Sequence, residues 1–99
     1  MEFKTQKELF DYVWETRERV SEISGKPLLP KGDMMWHWQF CHLLGKGVYK
    51  KYKFRSENII LALPIEHQYQ ERYPIFIERQ NAVRRAYLTE FEGKVFDEI

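Results

Sequence analysis

The run Asn58-Ile59-Ile60-Leu61-Ala62-Leu63-Pro64 constrains this chain more than any other stretch. Consecutive apolar residues, two of them β-branched, do not alternate between core and solvent, so the run predicts a strand packed on both faces. Such a strand needs a pairing neighbour. The segment "MWHWQFCHL", residues 35 to 43, offers one, because Trp36, Trp38 and Phe40 alternate with His37, Gln39 and Cys41 in the period of a strand.

Helices are expected on either side. Thr5 and Glu8 have the spacing of a capping box, and a helix over about residues 5–20 would carry Leu9, Val13, Trp14 and Val20 on its apolar side. The stretch "SEISGKPLLPKGD", residues 21 to 33, reads as turn and loop. "GKGVYKKYKFRSE" is a long basic loop with room for a short strand around Val48 to Phe54. Pro64 suits the first turn of a short helix, because its missing amide hydrogen would have no partner there, and Pro74 ends it. A last helix, about residues 75–91, carries Phe76, Val83, Leu88 and the adjacent Arg84 and Arg85. The expected architecture is one α+β domain over residues 1–99. A strand–strand–helix core over about 34–72 is flanked by an N-terminal and a C-terminal helix.

Composition narrows the class. With 43% hydrophobic and 31% charged residues, the chain is globular rather than disordered. No apolar run is long enough to cross a bilayer, and "MEFKTQKELF" lacks the apolar core of a signal peptide. A single cysteine cannot form an internal disulfide, which makes a reducing compartment the default. The net charge of +1 conceals a basic cluster: Lys46, Lys50, Lys51, Lys53 and Arg55, with no acid between them, while the charged residues after Glu90 are mostly acidic. Tyr49, Tyr52 and Phe54 interleave with those cations, a mixture suited to a nucleic-acid backbone and its bases. Arg72, Arg79, Arg84 and Arg85 could extend that surface. As a solvated loop, the cluster would have no partner at all.

Three polar residues fall at the ends of these elements. His42 closes the first strand, Asn58 opens the second sixteen residues later, and His67 follows after nine more, inside the short helix. Antiparallel pairing would set His42 beside Asn58, and the helix could fold back toward both. His37, between two tryptophans, is expected to be structural or to sit on the strand's other face.

The pattern of His42 in "FCHLLGKG", Asn58 in "SENIILAL" and His67 in "PIEHQYQ" resembles the HNH endonucleases, the His-Me finger group built on a ββα-metal hairpin. The resemblance covers about residues 19–72. It implies a metal-dependent endonuclease that hydrolyses DNA phosphodiester bonds. His42 would be the general base, Asn58 would prop the loop that holds it, and His67 would bind one divalent cation, which stabilises charge on the phosphate. DNA is the implied substrate, with specificity open to a protein partner. The implied setting is the cytoplasm of a bacterium or a phage-infected host.

Two departures follow from that resemblance. Many members carry an aspartate metal ligand just before the base, where this chain has Cys41. A thiolate favours zinc over magnesium, so the metal could be Mg, Mn, Ni or Zn, with Cys41, Glu66 or Glu71 as an added ligand. Cys41 also reads as a small buried hydrophobe. Many relatives also hold the hairpin with a four-cysteine zinc site, whose places here read Ser21, Ser24, Leu63 and Glu66. One cysteine excludes that structural zinc. Two rivals remain: a non-catalytic nucleic-acid-binding protein of the same fold, and a protein-interaction module or inhibitor.

Overall fold

Two short strands hold the centre of the molecule. In a computed structural model, which describes residues 1–93, β1 (Phe40–His42) pairs antiparallel with β2 (Ile59–Leu61). The register sets Phe40 opposite Leu61, Cys41 opposite Ile60 and His42 opposite Ile59. Helix α1 (Gln6–Thr16) precedes the strands, and α2 (Pro64–Gln68) and α3 (Pro74–Glu92) follow them. The fold is α+β, with the strand–strand–helix order expected from the sequence.

The apolar run dictates the layering. Side chains alternate across a strand, so Phe40, Ile59 and Leu61 face one way and meet Leu9, Phe10, Val13 and Trp14 of α1. Cys41, Ile60 and Ala62 face the other way and, with Leu43, meet Phe76 of α3. All four residues from Ile59 to Ala62 are fully buried. Burial contributes roughly 1.5–3 kcal/mol for each large aliphatic side chain. Phe10 stacks on Phe40 with centroids 4.2 Å apart, and Trp36 meets Trp14 and Phe40 edge-on.

Helix α1 starts as expected and stops sooner. Thr5 Oγ1 accepts from the Glu8 amide, while Glu8 returns its bond to the Lys4 amide rather than to that of Thr5. The chain leaves the helix at Arg17, three residues before Val20, in an extended conformation. Arg17 is needed elsewhere: its guanidinium donates to the carbonyls of Ile59 and Ser56, both at 2.7 Å, and pairs with Glu22. Glu22 Oε2 accepts from the Leu61 amide at 2.6 Å. Backbone groups along the open edge of β2 are thus satisfied by an ion pair. Val20 forms a bridge with Pro27 instead of lining the helix.

The aromatic alternation misleads about β1. Trp36–Gln39 winds as a 3-10 turn, and the strand begins only at Phe40. Asp33 initiates the turn, its carboxylate accepting from the Met35 amide and its carbonyl from the Trp36 amide. Gln39, fully buried, then ties the turn to Leu29 through both ends of its side-chain amide. No strand forms over Val48 to Phe54 either; Lys50–Tyr52 is a single 3-10 turn. Tyr52 is drawn under α3, edge-on to Tyr87 and Phe91, with its hydroxyl on Glu90. Helix α2 is one turn and a half with Pro64 in its first turn, followed by a 3-10 turn over Gln70–Arg72. Pro74 opens α3 as well as ending what precedes it.

The places where the resemblance puts a structural zinc are joined by hydrogen bonds. Glu66 Oε1 accepts from Ser21 Oγ at 2.6 Å and from the Leu63 amide at 2.8 Å. Ser21 Oγ in turn accepts from the amides of Ile23 and Ser24. A carboxylate and a serine hold the loop after α1 against the start of α2. Among the described residues, no helix is long and apolar enough to cross a membrane. Of the stretch after Glu90, the residues beyond Gly93, which include Asp97 and Glu98, lie outside the described residues.

Candidate active site

His42 ends β1 on the face that looks toward α1, its ring 6.2 Å from that of Phe10. Its Nε2 lies 3.0 Å from the carbonyl oxygen of Lys53. That oxygen can only accept, so the proton sits on Nε2 and Nδ1 keeps its lone pair. Burial pushes the imidazole below its ordinary range; the Lys53 carbonyl works against this, and Lys46 and His67 reinforce it. The neutral ring is therefore the favoured form at pH 7.

Asn58 fixes the chain just beyond that histidine. It is fully buried. Its Oδ1 accepts from the Leu44 amide at 2.7 Å, and its Nδ2 donates to the Leu44 carbonyl at 3.0 Å. The Asn58 carbonyl also accepts from the Leu43 amide. This two-point clamp sets where the basic loop leaves the sheet and hence where the Lys53 carbonyl meets His42.

His67 approaches from α2. Its Nδ1 is 2.6 Å from the Trp38 carbonyl oxygen, which assigns the proton to Nδ1 and leaves Nε2 as the electron-pair donor. His42 and His67 line one cleft of about 360 Å³, together with Gln6, Phe10, Lys46 and Gln70. His37 lines it too, contrary to the expectation from strand alternation. The 3-10 turn rotates it toward the cleft, and only the Asp33-Met35 turn signal could have revealed that. Gln70 Oε1, in the same wall, is buried and accepts no hydrogen bond among the described residues. It went unnoticed in the sequence.

The added metal ligands considered above lie elsewhere. Cys41 alternates with His42 across the strand, so it points into the core between Ile60 and Phe76 and is fully buried. Burial pushes its thiol up to about 12, and its place in the core keeps it out of the histidine cleft. Glu66 is spent on Ser21 and Leu63, and Glu71 is exposed in the turn after α2, outside the cleft lining. Among the described residues, no three His, Cys, Asp or Glu side chains gather as a metal cage. The donors that the cleft lining leaves for a cation are one imidazole nitrogen and the unpaired Gln70 amide oxygen, with no carboxylate. They do not fit a closed site.

The basic cluster divides. Lys46, Lys50 and Lys53 line a groove of about 600 Å³ that shares Gln6 and Lys46 with the histidine cleft. Lys51 and Arg55 turn away from it. Lys51 Nζ sits 4.4 Å above the Phe91 ring, and Arg55 grips Glu90 through both terminal nitrogens. They fasten the loop to α3 and are not part of the basic groove. Arg79 is likewise tied to Glu22, and Arg72 lies over Tyr69.

No family model, curated protein or solved structure matches this chain.

Proposed function

We propose that this protein is a metal-dependent endonuclease that hydrolyses DNA phosphodiester bonds. One observation carries the reading: two histidines line the same cleft, each with one ring nitrogen anchored to a main-chain carbonyl and the other left with its lone pair. In this reading His42 Nδ1 takes a proton from a water. The water's oxygen then bonds to phosphorus as the bond to the leaving oxygen breaks. The lowered basicity of His42 keeps it unprotonated near neutral pH, and Asn58 keeps its loop in place. His67 Nε2, aided by Gln70 Oε1, would hold a divalent cation, whose chemistry is to stabilise negative charge on the phosphate and leaving oxygen. Anchoring the other nitrogen of a ligating histidine on a carbonyl is the usual way to fix its orientation. Lys46, Lys50 and Lys53 supply positive charge along the approach. Such an enzyme would work in the cytoplasm of a bacterium or a phage-infected cell.

The absence of a three-ligand group among the described residues favours a second reading, a DNA-binding protein of the same architecture without catalysis. Nicking of supercoiled plasmid decides between them, with magnesium, manganese, nickel and zinc tested separately and a chelator as control. Metal-dependent nicking by the native protein, absent from H42A, supports the nuclease. DNA binding with no nicking under any metal transfers the assignment to the second reading.

A further inference from the structure

Beside the histidine cleft lies a second pocket, of about 440 Å³, walled by Met35, Trp38, Pro64, Ile65, His67 and Gln68. Its lining is mostly apolar, yet its walls are open to solvent: Trp38 is 52% exposed, Ile65 57% and Met35 42%. Exposing an indole of this size gains the fold nothing, whereas Trp14, the comparable side chain on α1, is buried. The pocket borders the cleft, since Trp38 and His67 line both. The Trp38 carbonyl also orients the His67 ring. The Trp38 and His67 ring centroids are 6.4 Å apart, so the indole and the imidazole are close neighbours.

We infer that this pocket binds an unpaired nucleobase of a DNA strand, stacked on Trp38, whose own phosphate lies in the histidine cleft. The inference rests on the nuclease reading for the place of the phosphate, and it adds that the substrate is single-stranded or locally opened at the cleavage point. The two neighbouring pockets suit the two ends of a nucleotide. Lys46 offers a cationic partner to the phosphate, and Trp38, Met35 and Ile65 offer an aromatic and aliphatic slot to the base. A base paired inside a duplex cannot enter such a slot without leaving its stack. Gln68 at the rim presents an amide, which can both donate to and accept from a base edge.

Tryptophan fluorescence and binding titrations test this on the full chain with a chelator present, so that no cleavage intervenes. The ligands are a short single-stranded DNA oligonucleotide, its duplex and its RNA counterpart. Single-stranded DNA should quench the native protein and leave W38F unquenched, while W38F, which keeps a ring, binds nearly as tightly. W38A should bind the single strand roughly tenfold more weakly and the duplex with unchanged affinity. Quenching that persists in W38F, or equal losses on single strand and duplex in W38A, overturns the inference. RNA bound as tightly, with the same dependence on Trp38, overturns the choice of DNA. The two readings fail separately. Quenching without plasmid nicking removes the nuclease and leaves the nucleobase site; nicking without quenching does the reverse.

Discussion

Ser21 and Glu66, forty-five residues apart in the chain, are joined by a 2.6 Å hydrogen bond that pins the loop after α1 to the first turn of α2. Glu66 is nearly buried and accepts from Leu63 as well. Burial alone would raise its carboxyl, but bonds from Ser21 and the Leu63 amide outweigh that and hold it below its ordinary 4.5.

E66A should therefore destabilise the fold by about 2–3 kcal/mol, and E66Q, which can still accept both bonds, by less. Because the folded carboxyl binds its proton less readily than the unfolded one, its contribution is full above the unfolded value. It is lost as pH falls through the folded one. Urea unfolding between neutral and acid pH should show native stability falling more steeply than that of E66Q. Parallel curves would mean that the knot bears no charge-dependent load.

Asn58 is a second structural pin, with two bonds to the Leu44 main chain. N58A leaves a buried amide and a buried carbonyl unpaired and should cost roughly 2–4 kcal/mol. N58D can accept from the Leu44 amide but sets a carboxylate against the Leu44 carbonyl. Only the protonated acid can donate there, so the stability of N58D relative to the native protein should rise as pH falls. Chemical denaturation of both variants across pH checks this, and a pH-independent difference would refute the clamp.

His42 titrates below the ordinary 6.5 chiefly because it is buried, with Lys46 and His67 adding to the effect. Between the folded and unfolded values the unfolded chain binds more protons, so this histidine makes the fold lose stability as pH drops through that window. K46M should move the imidazole titration upward, read by NMR of the ring without any need for activity. If cleavage is found, the acid limb of kcat/KM should move with it. An unmoved ring titration would show that Lys46 is too well solvated to act on the cleft.

Cys41 should behave as core. With its thiol pushed up to about 12 and its side chain fully buried, it should resist thiol reagents in the native state and react only on unfolding. C41A should cost about 1 kcal/mol and leave divalent-cation affinity unchanged. Weaker metal binding in C41A would restore the thiol as a ligand.

Part of this was legible in the chain. Ile59 to Ala62 announced a strand buried on both faces because no other element hides consecutive apolar residues so economically, and the pairing of His42 near Asn58 followed from it. Thr5 and Pro64 marked the starts of their helices, because caps are local chemistry. Trp36, Trp38 and Phe40 misled, because their alternation suggests a strand, whereas Asp33 and Gln39 impose through side-chain bonds a 3-10 turn of three residues per turn that packs Trp36 on the core and leaves Trp38 outside. Lys51 and Arg55 misled for a related reason: a charge run does not reveal which cations meet acids, and Glu90 lies thirty-five residues from Arg55.

The sequence by itself determined the α+β order, the double-faced strand and the positions of His42, Asn58 and His67, since periodicity, capping and proline restriction act over a few residues. Only the tertiary structure decided that Cys41 belongs to the core and His37 to the cleft. It also decided which nitrogen of each imidazole keeps its lone pair, because the Lys53 and Trp38 carbonyls that set those protons reach the histidines from eleven and twenty-nine residues away.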